Sequence, residues 1–241
     1  MSHTRLSPPF AIPRLSRSGL LRYSCAYFLG ALALMFVSAP FMERIRGGDL
    51  IEAGLMTVVL TSAVVAVGAR RRTLVTAIVL LTPTLIAKWL SHARPDLVAQ
   101  EVYLGLAMVF VAFVIVQLLR YIIRAPRVDS EVVCAGIASY LMIGLLWALG
   151  YWLLGRLEPH AFLFTYAPEA DREMKGFITL YFSFVTLTTC GYGDIIPIAA
   201  PARMLAAAES VVGVLYVGVL IARLVSLYTT AAAPRMNNHS D

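Results

Sequence analysis

The sequence predicts an all-α membrane protein with six transmembrane helices and one short re-entrant helix between the fifth and the sixth. Of its 241 residues, 59% are hydrophobic and only 14% are charged, which is more apolar than one soluble core of this length requires. A helix needs about 20 apolar residues to cross a bilayer, and the chain offers several such runs between charged or Pro- and Gly-bearing breaks. We place the spans at about 20–42, 50–69, 73–91, 97–119, 131–155 and 202–228.

The N-terminal part of the chain, up to residue 128, contains no recognisable catalytic motif. Val37-Ser38-Ala39 resembles a signal-peptide cleavage site, but the length of the run and Pro40 favour an uncleaved span. We expect a basic cytoplasmic segment at 1–19 and a four-helix block at 20–128, which Pro126 ends by breaking the helix. Glu101 and Lys88, near the ends of spans four and three, are expected to face the interface, with mutual pairing as the alternative.

The net charge of +6 does not form the basic stripe of a nucleic-acid-binding domain. The basic residues lie in loops on one predicted side, at Arg5, Arg14, Arg17, Arg22, Arg70, Arg71, Arg72, Arg120, Arg124 and Arg127. By the positive-inside rule these loops and both termini are cytoplasmic, which predicts a multi-pass plasma-membrane protein whose surroundings are lipids. The three cysteines give neither a metal-binding spacing nor a paired framework.

A shorter apolar stretch follows the fifth span. It runs from Gly176 to Thr189, about 14 residues, which is too few to cross the bilayer and suits a helix that enters and turns back. Non-helical backbone at membrane depth is tolerated only where protein buries it or where it lines a watery path. We therefore expect such a path directly after this helix.

The segment after the short helix, Thr188-Thr189-Cys190-Gly191-Tyr192-Gly193-Asp194, closely resembles the signature of the potassium channel family. It matches the pattern Thr-x-Gly-Tyr-Gly-Asp, with Cys190 where the family usually has an aliphatic residue. The resemblance implies a pore domain at 129–230, built from an outer helix, a pore helix, a selectivity filter and an inner helix. It also implies a homotetramer, because one loop cannot surround an ion.

The resemblance assigns the filter to five consecutive residues, in which backbone carbonyls replace the water shell of K⁺. Gly191 and Gly193 are suited to it because glycine adopts positive φ without steric cost. The K⁺ ligands are expected from Thr189, Cys190, Gly191 and Tyr192, and K⁺ is the permeant ion rather than a cofactor. The residues expected to support the filter from behind are Thr188, Asp194, Glu209 and either Tyr181 or Phe182 on the pore helix. The C-terminal end of the pore helix adds about half a negative charge per subunit.

The sixth span resembles the inner helix of that family. Pro201 suits its first turn, and Gly213 and Gly218 are candidates either for a hinge or for close helix packing. The residues expected to face the conduction path are Val214, Val217, Ile221 and Val225, of which Ile221 and Val225 form a candidate hydrophobic gate. Glu209 lies deep in this span and is expected to brace the pore helix, with a snorkelling or water-facing position as the alternative.

The expected function is passive, selective conduction of potassium, without catalysis. Voltage sensing is not expected, because the fourth span has no Arg or Lys from residue 97 to residue 117. We expect a short cytoplasmic tail at 231–241, too short to form a ligand-binding domain. The alternatives are a weakly selective cation channel, since Cys190 departs from the family pattern, and the membrane subunit of a potassium uptake transporter.

Overall fold

The computed structural model describes residues 24–42, 48–68, 71–94, 99–127, 129–165 and 173–232. The expected segment 1–19 lies outside the described residues, as do residues 233–241 of the expected tail. The elements in chain order are α1 (Ser24–Met42), α2 (Gly48–Val67), α3 (Arg71–Ala93), α4 (Gln100–Arg124), α5 (Ser130–Leu157), β1 (Phe162–Phe164), α6 (Gly176–Leu187), β2 (Ile195–Pro197) and α7 (Ala200–Ala232).

Six of these helices, α1 to α5 and α7, are long and apolar enough to cross a membrane, which confirms the six predicted spans. The short helix α6 has 12 residues and is about 18 Å long, too short to do so. The last helix, α7, continues to Ala232, slightly beyond the predicted end of the sixth span.

The first four helices pack around a core of large apolar side chains, among them Phe28, Leu32, Leu60, Leu104 and Phe110. The most extensive packing joins α4 to α5, so the four-helix block rests on the α5–α7 half of the same chain. The edge of the Phe36 ring of α1 also meets the ring of Phe184 in α6, with centroids 4.9 Å apart.

The junction between α4 and α5 lies where Pro126 predicted a break. The fourth helix ends at Arg124, and the N–H of Ala125 donates to the carbonyl of Ile122. The next helix begins after Asp129, whose side chain accepts a hydrogen bond of 3.0 Å from the N–H of Val132. An Asp at this position satisfies one of the free amides of a helix start.

Glu101 and Lys88 each make a contact that the sequence did not indicate. Glu101 forms a salt bridge of 2.8 Å with Arg156, which joins the start of α4 to the end of α5. The ammonium of Lys88 lies 4.9 Å from the centre of the Tyr103 ring, a cation–π geometry. The sequence could not indicate these contacts, because they depend on how α3, α4 and α5 are rotated against each other.

A second, smaller core lies beside the two strands. Its centre is an aromatic group in which Tyr151, Phe162 and Phe182 meet edge to face, with centroids 4.8 to 5.9 Å apart. The strands pair antiparallel in the register Phe162↔Pro197, Leu163↔Ile196 and Phe164↔Ile195. This pairing brings the chain before α6 next to the chain after the signature segment.

Candidate functional site

The candidate site is the signature loop, residues 188–194, together with the elements that hold it. The loop follows α6 directly, and α6 packs between α5 and α7. Close packing on α5 depends on Gly144, because a Cβ there would lie 2.5 Å from the ring of Phe184. The buried face of α6 is formed by Thr179, Leu180, Phe182, Ser183 and Leu187.

Backbone amides of the loop donate hydrogen bonds to carbonyls in the last turn of α6. The N–H of Thr189 donates to the carbonyl of Thr186 at 2.9 Å, and the N–H groups of Cys190 and Gly191 both donate to the carbonyl of Val185. The Thr188 hydroxyl donates to the carbonyl of Phe184 at 2.6 Å. These bonds satisfy carbonyls that a helix end otherwise leaves free.

Every second residue of the loop has a left-handed backbone. The φ angles are 57° at Thr189, 57° at Gly191 and 79° at Gly193. The positive φ expected at the two glycines is therefore present, whereas that of Thr189 was not foreseen. Threonine rarely adopts this conformation, so the sequence carried no signal for it except the spacing from the glycines. Alternating handedness turns successive carbonyls toward the same side, as a carbonyl-lined ion path requires.

Two side chains of the loop face α6. The Tyr192 ring is 70% exposed and stacks on Tyr181 at 6.5 Å with an angle of 5° between the planes. The Tyr181 hydroxyl donates to the carboxylate of Asp194 at 2.7 Å. Asp194 also accepts from the N–H of Ile195 at 3.1 Å.

Of the two aromatic residues expected to support the loop, Tyr181 is the one in contact with it. Phe182 instead packs into the aromatic group with Tyr151 and Phe162, on the other side of α6. Neighbouring helix positions are about 100° apart, so the two rings cannot face the same partner.

Glu209 is fully buried and joins three helices, which contradicts the snorkelling alternative. The Tyr151 hydroxyl of α5 donates to one carboxyl oxygen at 2.5 Å, and the Ser183 hydroxyl of α6 lies 2.5 Å from the other. The Ser183 hydroxyl is also 2.8 Å from the carbonyl of Gly144. The position of the acid was predictable from the sequence but neither hydroxyl partner was, since isolated Tyr and Ser residues in apolar helices give no pairing signal.

The side of α7 that carries Ser210 and Gly213 lies close to the C-terminal end of α6. A Cβ at Gly213 would overlap the carbonyl oxygen of Leu187, whereas nothing lies within 4 Å of the corresponding position at Gly218. Ser210 donates to the carbonyl of Thr186 at 3.2 Å. Gly213 is therefore a close-packing position, while Gly218 has no packing role among the described residues.

The residues predicted to face a conduction path form an exposed apolar row along α7. The exposed fractions are 61% for Val214, 43% for Val217, 56% for Ile221 and 56% for Val225. The other side of α7 is attached to its own chain. The Tyr216 hydroxyl donates to the carbonyl of Gly136 at 2.7 Å, and the Arg223 guanidinium donates to the carbonyls of Ile123 and Ala125.

Within the described residues, no group of three or more His, Cys, Asp or Glu side chains is arranged to hold a metal ion. The loop instead offers backbone carbonyls. Such carbonyls are suited to a weakly held monovalent cation that must enter and leave.

Comparison with known proteins agrees with this geometry. The profile of the family described as "Ion channel" matches residues 138–230, which contain most of α5 and all of β1, α6, the signature loop, β2 and most of α7. A rice protein, "Two pore potassium channel b" of Oryza sativa subsp. japonica, is 35% identical over 88 residues. That match covers 36% of this chain and 24% of the rice protein.

No solved structure matches the chain. The family match contains the signature loop, and the two similarities indicate a channel rather than an enzyme. The protein is thus an all-α membrane protein whose residues 138–230 match the ion channel family.

Proposed function

We propose that this chain is one subunit of a potassium-selective channel of the plasma membrane, in which four identical copies surround one pore. Potassium would pass down its electrochemical gradient between four copies of the loop from Thr189 to Gly193. The carbonyls of Thr189, Cys190, Gly191 and Tyr192 would replace the water shell of the ion. The similarities described above support an ion channel. Potassium selectivity, four identical subunits and the plasma membrane are what this proposal adds.

The observation that carries the proposal is the alternation of positive φ at Thr189, Gly191 and Gly193 directly after a helix of half membrane length. An ordinary turn needs one or two such residues, not three at every second position. The backbone conformation therefore fits a narrow carbonyl-lined path better than it fits a connecting loop.

The exposure of the loop and of α7 supports assembly. Tyr192 is 70% exposed, and Val214 and Val219 of α7 are more than half exposed. A single loop cannot surround an ion, so several copies are needed, and closed rings are the usual symmetry of identical subunits. Four copies give rings of four carbonyls at each level.

At the end opposite the signature loop, α3 begins with Arg71 and Arg72, α4 ends with Arg124, and Arg127 follows it. The positive-inside rule places that end in the cytoplasm and the signature loop toward the outside. In this orientation Ile221 and Val225 lie near the cytoplasmic end of the inner helix. Rings of these apolar side chains would close the pore by excluding water.

The test is the reversal potential of the purified protein in bilayers with potassium on one side and sodium on the other, measured across voltages. We expect reversal near the potassium equilibrium value. Gly191→Ala should abolish this selectivity, because alanine is strained at a φ of 57°. Gly105→Ala is the matched control, since α4 leaves open space at that position. The absence of any current, or equal selectivity in Gly191→Ala, would contradict the proposal.

A weakly selective cation channel is the second candidate, because Cys190 stands where the family usually has an aliphatic residue. The Cys190 side chain lies beside Tyr192 and is exposed in the single chain. A reversal potential near zero that Cys190→Val moves toward the potassium value would favour this candidate. A potassium uptake transporter would instead show no sustained channel current.

A further inference from the structure

Thr165 lies in the chain between α5 and α6, and it contacts two consecutive carbonyls of the signature loop, those of Gly193 and Asp194. Its N–H donates to the carbonyl of Asp194 at 2.9 Å, and its hydroxyl donates to the carbonyl of Gly193 at 3.3 Å. These contacts continue the β1–β2 ladder by one position beyond the Phe164↔Ile195 pair. Neither contact was predictable from the sequence.

The strand β1, which directly precedes Thr165, is fixed by side-chain packing and by hydrogen bonds. Phe162 is buried in the aromatic group with Tyr151 and Phe182, which fixes β1 to α5 and α6. The carbonyl of Ala161 accepts hydrogen bonds from the N–H groups of Ile198 and Ala199 at 2.9 and 3.2 Å. Thr165 is therefore presented to the loop by a strand that is itself packed and hydrogen-bonded.

We propose that Thr165 is a positioning residue that fixes the Gly193 end of the filter; this inference rests on the proposed function. Gly193 has a φ of 79° and no side chain, so its peptide group can rotate at little steric cost. The Thr165 hydroxyl holds its carbonyl toward β1. The Gly193 carbonyl thus does not face the pore axis, and the rings of K⁺ ligands end at Tyr192.

Asp194 accepts hydrogen bonds through both its backbone and its side chain. Its carbonyl accepts from the N–H of Thr165, and its carboxylate accepts from the hydroxyl of Tyr181 on α6. When few ions occupy the filter, the partial negative charges of neighbouring carbonyls repel each other without compensation. By fixing Gly193 and Asp194, the bonds from Thr165 oppose displacement of the neighbouring Tyr192 carbonyl, which this repulsion favours.

Thr165→Val tests the proposal because it removes the hydroxyl and keeps the N–H, and Thr165→Ser is the matched control that keeps both. The decline of potassium current during sustained conduction is recorded with low and with high potassium on the Gly193 side. We expect Thr165→Val to lose current about fivefold faster at low potassium, the factor that one typical net hydrogen bond gives. Thr165→Ser should behave like the natural protein, and high potassium should reduce the difference.

A second measurement does not depend on selectivity. Deuterium uptake over residues 161–165 of the detergent-solubilised protein should be faster in Thr165→Val than in Thr165→Ser, because β1 loses one of its bonds to the loop. Equal decline of current and equal uptake in the two variants would overturn the role of Thr165. A natural protein that reverses near zero would refute the proposed function instead, and the uptake comparison would still decide the role of Thr165.

Discussion

A single carboxyl group connects the three helices nearest the candidate filter. Glu209 of α7 contacts the hydroxyls of Tyr151 on α5 and Ser183 on α6, and it is fully buried. A buried polar group is costly unless it is hydrogen-bonded, so these contacts offset the burial of the acid. Glu209 therefore fixes the position of α6, and through α6 the position of the signature loop.

Replacing Glu209 tests the importance of these hydrogen bonds. Glu209→Leu leaves the Tyr151 hydroxyl buried without its partner, while the Ser183 hydroxyl keeps the carbonyl of Gly144. The free energy of unfolding should fall by about 1–3 kcal/mol. Glu209→Gln keeps an acceptor oxygen and adds an amide donor, so it should be much less destabilising. Thermal unfolding in detergent measures both variants.

The control for these variants is Glu158→Gln, a loss of charge at an exposed residue just beyond α5. It should have little effect on unfolding. Equal stability of Glu209→Leu and the natural protein would contradict the bracing role of Glu209.

At the scale of elements, α7 is attached to the rest of its chain at three levels. Gly213 lies against the end of α6, Tyr216 bonds to α5, and Arg223 bonds to the last carbonyls of α4 and its cap. The C-terminal end of a helix carries a partial negative charge, which makes it a favourable partner for a guanidinium. The candidate gate residues Ile221 and Val225 lie two positions from Arg223, about 200° around the helix.

Arg223→Gln should loosen the end of α7. Removing charge-assisted hydrogen bonds of this kind costs about 1.5–3 kcal/mol, and the loss falls on the α4–α7 attachment. Deuterium uptake over residues 216–226 should rise in this variant. Arg120→Gln, an exposed position on α4, removes the same charge near the same end and should leave that uptake unchanged. Equal uptake in the two variants would show that Arg223 does not attach α7.

At the scale of the whole molecule, the four-helix block is joined to the α5–α7 half at both ends. The Glu101–Arg156 salt bridge connects them at the end near the signature loop, and Arg223 connects them at the opposite end. These contacts oppose sliding of α4 along its axis. Because residues 97 to 117 contain no Arg or Lys, we expect voltage not to move the block.

Assembly is the property of the whole molecule that is most directly measurable. We expect native mass spectrometry of the detergent-solubilised protein to give a complex of four chains of 26.3 kDa each. Each chain carries one signature loop, so rings of four carbonyls require four copies. A stable dimer, or a monomer under conditions that preserve conduction, would contradict this arrangement.

The sequence by itself determined the six spans, the short helix before the signature loop, the break at Pro126 and the glycines with positive φ. Those features depend on local hydrophobicity, helix length and the backbone freedom of single residues. Only the tertiary structure decided that Glu209 faces Tyr151 and Ser183, that Tyr181 rather than Phe182 supports Asp194, and that Glu101 pairs with Arg156. These contacts join residues 13 to 58 positions apart, and they follow from how packed helices rotate against each other, which no local pattern of residues specifies.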